Sequence, residues 1–135
     1  MTKLILAALL GAASMAHAAD LTIAIDGVAN ADGQIMIALY SGGDNFLGKP
    51  LRALAVPAAA GAMQVKVADL ETGDYAFAIY HDANSNGKMD RNAMGMPTED
   101  YAFSNNALGK RSAPRYEDAR FAVSAAGTTA SVSLR

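Results

Sequence analysis

The sequence predicts an all-β fold, a single antiparallel Greek-key β-sandwich of about seven strands with one long loop. Apolar and polar residues alternate in short runs, which is the period of a half-buried strand. Clusters of Gly, Asn, Asp and Pro separate these runs and join most neighbours by tight turns, which favours antiparallel pairing. Residues 19–135 contain no segment with helical periodicity, so a helical layer is not expected.

The strands are predicted in order from the alternating runs. The first covers residues 21–26, and a turn at residues 30–33 leads into the second, Gln34–Tyr40. Both faces of this second strand are apolar, which places it in the middle of a sheet. The remaining strands are predicted at residues 52–56, 63–67, 75–81, 119–123 and 130–134. Residues 82 to about 117 form the long loop, and the whole pattern is typical of immunoglobulin-like or prealbumin-like sandwiches.

Residues 1–18 are predicted to form a signal peptide. Lys3 supplies the positive start, residues 4–13 are an apolar run, and Ala16-His17-Ala18 is an A-x-A cleavage signal. A transmembrane anchor would need about 20 apolar residues, and this run ends earlier. We therefore expect a periplasmic or secreted protein with residues 19–135 as its β-sandwich domain and no transmembrane segment after cleavage.

The composition disfavours several function classes. The chain has no Cys, so it has no disulfides. After signal removal His81 is its single histidine, so a zinc site is not expected. The net charge of −2 argues against a nucleic-acid partner. The sequence has no G-x-S-x-G elbow and no phosphate-binding Gly motif, so no catalytic residue and no organic cofactor is predicted.

Residues 82–90 match a calcium loop of the pattern D-x-[DN]-x-[DN]-G. The predicted ligands are the side chains of Asp82, Asn84, Asn86 and Asp90 and the carbonyl of Lys88. Position 12 of the pattern holds Ala93 in place of the bidentate Glu, so the expected affinity is weak, roughly 10⁻⁴ to 10⁻³ M. Glu99 or Asp100 could approach from farther along the chain. The alternative is an ion-free loop whose Asp and Asn side chains bond to nearby backbone.

A ligand platform is the second candidate site. It consists of His81, Tyr101, Phe103, Asn105 and Asn106. Amide groups beside aromatic rings suit contacts with a sugar or a peptide. The competing interpretation is structural, because Asn is a frequent turn former and a lone His at a strand end is usually packed or hydrogen-bonded.

Three methionines crowd the long loop near His81. Thioethers with an imidazole suit Cu(I), so a copper site at Met89, Met94 and Met96 is one interpretation for an exported protein. The favoured interpretation is that these flexible side chains pack the loop against the sandwich.

Several motifs together resemble a bacterial family known as domain of unknown function 2141. They are the H-D-x-N-x-N-G-K-x-D run that begins at His81, Gly95-x-Pro97, the Y-A-F-S-N-N-A run at residues 101–107, and the early turn before Gln34. The resemblance covers essentially all of residues 19–135 and implies an exported β-sandwich without a known activity. The segment around Gly73-Asp74-Tyr75 also resembles prealbumin-like and carboxypeptidase-regulatory-like modules, which supports the fold and not a function.

The leading functional hypothesis is a non-enzymatic exported binding or interaction module with a weak calcium loop at residues 82–90. Its ligand, a small molecule or a protein, is not identified by the sequence. The alternative is a metal-handling protein or a hydrolase-like enzyme that uses His81 and the loop carboxylates. A pocket that contains His81 with Asp90 or Glu99 would favour the enzyme, and a loop satisfied by its own hydrogen bonds would favour the module.

Overall fold

The computed structural model describes residues 18–109 and 112–135, and these residues form an all-β sandwich. Its eight strands are β1 (Ala19–Val28), β2 (Gln34–Tyr40), β3 (Arg52–Pro57), β4 (Gly61–Leu70), β5 (Gly73–Asp82), β6 (Tyr101–Phe103), β7 (Phe121–Val123) and β8 (Thr128–Ser133). The predicted fold class is confirmed. The predicted signal peptide lies outside the described residues except for Ala18, and β1 begins directly after it.

The strands pair into two sheets. One sheet has the order β4-β1-β8, and the other has the order β3-β2-β5-β6 with β7 also paired to β5. The pairing is antiparallel throughout the described residues except between β1 and β8, which run parallel. No hairpin joins these two strands, so a turn does not set their relative direction.

The core lies between the sheets and is built by alternation along the strands. The inward side chains of the first, second and fifth strands are Leu21, Ile23 and Ile25, then Ile35, Ile37 and Leu39, then Tyr75, Phe77 and Ile79. Phe77 is fully buried, and its ring meets that of Phe121 edge to face with 5.5 Å between ring centroids. Side chains at the even positions of β5 consequently point to the outer face of its sheet.

The strands β6 and β7 form two halves of one edge strand that is interrupted by residues 104–120. Both pair with the same side of β5, β6 along residues 78–80 and β7 along residues 73–75. At the break the fully buried Ser104 replaces the missing ladder. Its Oγ accepts a hydrogen bond from the Phe77 N–H at 3.0 Å and donates one to the Ala119 carbonyl at 2.6 Å. One side-chain hydroxyl therefore supplies hydrogen bonds to the Phe77 N–H and the Ala119 carbonyl where the chain leaves the sheet.

The structure divides the predicted long loop into shorter pieces. This region contains β6, the 3₁₀ helix Ser104–Asn106 and the helix α1 (Tyr116–Ala119). A second 3₁₀ helix, Gly43–Asn45, lies elsewhere, between β2 and β3. Elements of three or four residues are too short to show a period in the sequence, which is why they were not predicted. In the described part of the chain no helix has the length and apolar character needed to cross a membrane.

Candidate functional site

The buried carboxylate of Asp82 anchors the predicted calcium loop to the end of β5. Its side chain is fully buried, and the β2–β5 register places Gln34 directly opposite. Oδ2 accepts hydrogen bonds from the Gly87 N–H at 2.8 Å and from Gln34 Nε2 at 3.2 Å. Oδ1 accepts one from the Asn86 N–H at 3.2 Å. Both oxygens of this carboxylate are therefore bound by donors of the protein itself.

The two loop asparagines bridge the backbone to Asp90. Asn84 Nδ2 donates to Asp90 Oδ2 at 2.7 Å, and Asn86 Nδ2 donates to Asp90 Oδ1 at 2.7 Å. Their amide oxygens accept backbone N–H groups two residues ahead, that of Asn86 at 3.3 Å and that of Lys88 at 3.0 Å. The side chains of Asp82, Asn84, Asn86 and Asp90 are thus joined within one loop by its own hydrogen bonds, and Lys88 takes part through its backbone N–H.

Glu99 closes this loop from its far end. Its Oε1 accepts the Asp90 N–H at 2.9 Å, and its Oε2 accepts the Ala83 N–H at 3.2 Å. Among the described residues, none of the ion pairs involves Asp82, Asp90 or Glu99. The described residues also contain no group of three or more His, Cys, Asp or Glu side chains arranged to hold a metal ion. The loop in this structure is ordered by N–H donors.

His81 lies on the inward face of β5, where it is buried and held by hydrogen bonds to backbone groups. Its side chain is only 4% exposed, and its Nε2 lies 2.6 Å from the Asp32 carbonyl oxygen. A carbonyl oxygen only accepts, so this ring nitrogen carries the proton. The backbone N–H of His81 donates to the Asp100 carbonyl at 2.9 Å. The residue therefore ties the turn before β2 and the end of the loop to the same strand.

The predicted platform asparagines bind the segment that interrupts the edge strand. Asn105 and Asn106 have left-handed backbone conformations, with φ of 62° and 50°. Asn105 Nδ2 donates to the carbonyls of Asp118 at 3.2 Å and Arg120 at 2.8 Å. Asn106 Oδ1 accepts the Ser133 N–H at 2.9 Å. These amides fix the 3₁₀ helix Ser104–Asn106 to the end of α1, to Arg120 and to β8.

An apolar groove with a volume of about 510 Å³ lies against β5 and β6, and we refer to it as the outer groove. Its floor is formed by outward side chains of the sheet, namely Ala78, Tyr80, Tyr101 and Phe103. The rings of Tyr101 and Phe103 meet edge to face with 5.9 Å between centroids. One wall comes from the long loop, with Met89, Arg91 and Met96, and the other from the segment that carries Leu108.

The loop wall is a short hairpin at residues 90–98, which we call the methionine hairpin. Its two sides are joined where the Thr98 N–H donates to the Asp90 carbonyl at 2.8 Å and where the Asn92 N–H donates to the Met96 carbonyl at 2.9 Å. Met94 at the tip is 87% exposed, and Met96 is 60% exposed. The prediction that these methionines pack against the sandwich is wrong for these two, because the hairpin projects them away from the core. Met89 is half-buried in the wall of the groove.

The structure brings together only part of the predicted platform. Tyr101 and Phe103 line the outer groove, whereas the described lining does not include His81, Asn105 or Asn106. The sequence interpretation missed the other lining residues, chiefly Ala78, Met89, Arg91, Met96 and Leu108. One signal in the sequence belongs to β5, whose outward residues Ala76, Ala78 and Tyr80 make a second apolar face.

Comparison with known proteins adds a family and no activity. The model of a family described as "Uncharacterized protein conserved in bacteria (DUF2141)" matches residues 23–131. The matched region contains the loop at residues 82–90, the methionine hairpin and the described lining of the outer groove. The match confirms the resemblance predicted from the motifs, and the prealbumin-like likeness stays a prediction. Neither a curated protein nor a solved structure matches the chain.

Proposed function

Since the chain belongs to the uncharacterised bacterial family DUF2141, which brings no activity with it, we propose that it is a binding module whose ligand site is the outer groove. The observation that carries the proposal is the groove itself. It is about 510 Å³ in volume, has an aromatic floor on a sheet, and falls within the range of small-molecule sites. Met96 and Leu108 at its edges are 60% and 56% exposed, so apolar surface remains available to a ligand.

The positions of the ionisable groups favour a module over the alternative enzyme. A general acid or base has to reach the substrate. His81 is buried and bonded to a backbone carbonyl, and both oxygens of Asp82 accept N–H groups. The described lining of the outer groove includes neither of these side chains, nor Asp90 or Glu99. The groove supplies apolar contact area and the proposed catalytic groups lie elsewhere.

Filling the floor of the groove is expected to abolish binding of an apolar probe. Ala78→Phe places a ring in the outer groove, so saturable binding of 1-octanol should disappear. Binding is followed by NMR of ¹³C-labelled methionine methyl groups, which should shift at Met89 and Met96 but not at Met63, which packs against the core.

Ala53→Phe is the matched control. It adds the same ring to an exposed position on the outer face of β3, away from the described lining. This variant should bind octanol as the unmodified protein does. Octanol shifts that persist in Ala78→Phe, or that are absent from the unmodified protein, would contradict the groove as the site.

As a second property we propose weak calcium binding by the loop at residues 82–90. The supporting observation is electrostatic: Asp82, Asp90 and Glu99 all bond to this loop, and none has a Lys or Arg partner among the described residues. Their carboxylates are not gathered around one point in this structure, so binding requires the loop to rearrange. Oxygen ligands of this kind suit Ca²⁺. The amide groups of Asn84 and Asn86 now donate to Asp90, so a cation has to displace these bonds, which limits its affinity.

Calcium at about 10 mM is expected to raise the melting temperature by roughly 3 to 6 °C if the dissociation constant is near 1 mM. Magnesium at the same concentration should do less, because it demands a tighter octahedral shell. Asp90→Asn should remove the difference between the two ions. An unchanged melting temperature at 10 mM calcium would leave the ion-free loop as the correct interpretation.

We further propose that residues 1–18 direct export and are cleaved before Ala19, which makes the mature protein periplasmic or secreted. The position of β1 supports this boundary, since Ala19 is the first residue of the strand and is 1% exposed.

Expression of the full chain in a bacterial host should give a periplasmic product whose mass matches a chain that begins at Ala19. Ala16→Arg, which spoils the A-x-A signal, should leave the uncleaved chain. An uncleaved cytoplasmic product from the unmodified chain would refute export.

A further inference from the structure

We propose that the ligand of the outer groove is an amphipathic anion, a molecule with one apolar chain or ring and one negatively charged head group that binds Arg91. This inference rests on the proposed function, because it assigns a chemical class to the ligand of that same groove. It commits to a small molecule and not to a protein, since a volume of about 510 Å³ accommodates one small molecule.

The charge of Arg91 is the first step of the argument. It is the single charged side chain among the described residues that line the outer groove. Its Nη1 donates to the Gly95 carbonyl across the methionine hairpin at 3.1 Å, which orients the side chain. None of the ion pairs in the described parts of the chain involves it. A guanidinium has five N–H donors, so donors remain for a carboxylate, phosphate or sulfate group.

The apolar floor is the second step. Ala78 lies opposite Phe103 in the strand register, and Tyr80 lies opposite Tyr101, so a small side chain is set beside three rings. Met89 and Met96 line the same space, and flexible methionine side chains adapt to apolar shapes. A neutral polar ligand would leave these surfaces without complementary contacts, whereas an alkyl chain or an aromatic ring covers them.

The position of the charge fixes how the ligand lies in the groove. Arg91 is part of the methionine hairpin at the wall, whereas the floor side chains Ala78, Tyr80, Tyr101 and Phe103 are apolar or aromatic. A guanidinium binds an anionic head group, and an aromatic floor suits an apolar chain or ring. The head group therefore belongs at Arg91 and the apolar body over the floor.

Three eight-carbon probes that differ in charge test the proposal. Octanoate, 1-octanol and octyltrimethylammonium are titrated separately into the full protein, and dissociation constants come from the methyl shifts of Met89 and Met96. We expect octanoate to bind roughly three- to tenfold more tightly than octanol, as a charge-assisted hydrogen bond at an exposed site allows. The cation should bind most weakly, and added salt should reduce the preference for octanoate.

Variants of Arg91 separate its charge from the shape of the groove. Arg91→Gln should bring octanoate to the affinity of octanol, and Arg91→Lys should keep most of the preference. Arg120→Gln is the matched control, because it removes one exposed arginine charge outside the described lining and should change nothing. Equal binding of octanoate and octanol by the unmodified protein, or tightest binding of the cation, would contradict the proposal that the ligand is an anion. Either result would still agree with the proposal that the outer groove is a binding site. Binding of none of the three probes would overturn both.

Discussion

Replacing Asp82 with alanine is expected to lower the free energy of unfolding by about 3 kcal/mol, which corresponds to a melting temperature about 10 °C lower. The carboxylate is fully buried and accepts hydrogen bonds from the N–H groups of Asn86 and Gly87 and from the amide of Gln34. Its removal takes the acceptor from the Gly87 N–H and the Gln34 amide and leaves the Asn86 N–H with the Asn84 amide oxygen alone. It also releases the loop from β2. Urea denaturation followed by circular dichroism measures the loss.

Two further substitutions calibrate this result. Asp82→Asn keeps the shape and one good acceptor, so its effect should be intermediate. Asp44→Ala removes an exposed carboxylate that makes no side-chain hydrogen bond within the described ranges, and it should cost less than about 0.5 kcal/mol. A loss below about 1 kcal/mol for Asp82→Ala would mean that water replaces the carboxylate at no cost and that Asp82 is not the anchor of the loop.

Gly33→Ala is expected to destabilise the domain by about 4 kcal/mol or to prevent its folding. Gly33 has a φ of 63°, in the region that L-residues avoid, and it packs directly against the backbone after β5. A Cβ atom would overlap the Asp82 carbonyl oxygen and would lie 2.7 Å from the carbonyl carbon of Ala83. Neither backbone group can give way without breaking the β2–β5 pairing. Denaturant midpoints and the yield of folded protein measure the effect.

The control separates backbone strain from the steric clash. Gly61 has a φ of 85°, but a Cβ atom there would meet nothing within 4 Å. Gly61→Ala should therefore cost only the conformational strain, roughly 1 to 2 kcal/mol. Equal losses for the two variants would show that the close approach of Gly33 to β5 contributes nothing.

The strands of six or more residues were predictable because each is long enough to show alternation and is bounded by turn residues. β2 and β5 also show apolar residues on both faces, which correctly placed β2 inside a sheet. β6 was not predictable, since its three residues are recognised only through their pairing with β5. Ser104 shows the same limit, because a buried hydroxyl that replaces a ladder bond looks like any other serine in a sequence.

In the candidate site too, the features made by neighbouring residues were predictable, and those made by residues distant in sequence were not. A loop at residues 82–90 held by Asp and Asn side chains could be predicted, because these residues are close in sequence and bond to one another and to nearby backbone. Calcium binding by this loop stays a prediction. The partner that satisfies Asp82 could not be predicted, because Gln34 is brought to it by the pairing of two distant strands. The outer groove is assembled from a sheet face, a hairpin and a later segment, so Arg91 and Leu108 become neighbours of the same space only in the folded chain.

The parallel pairing of β1 with β8 has a consequence for the order of folding. β1 has β4 on one side and β8 on the other, so in the part of the chain that the structure describes its second edge pairs with residues 128–134. A ribosome delivers the first strand early and the last one late, and until then β1 exposes unpaired N–H and C=O groups. Contacts between such distant segments also form slowly. The sandwich therefore closes after its last strand has been synthesised, and the nascent chain stays open until that point.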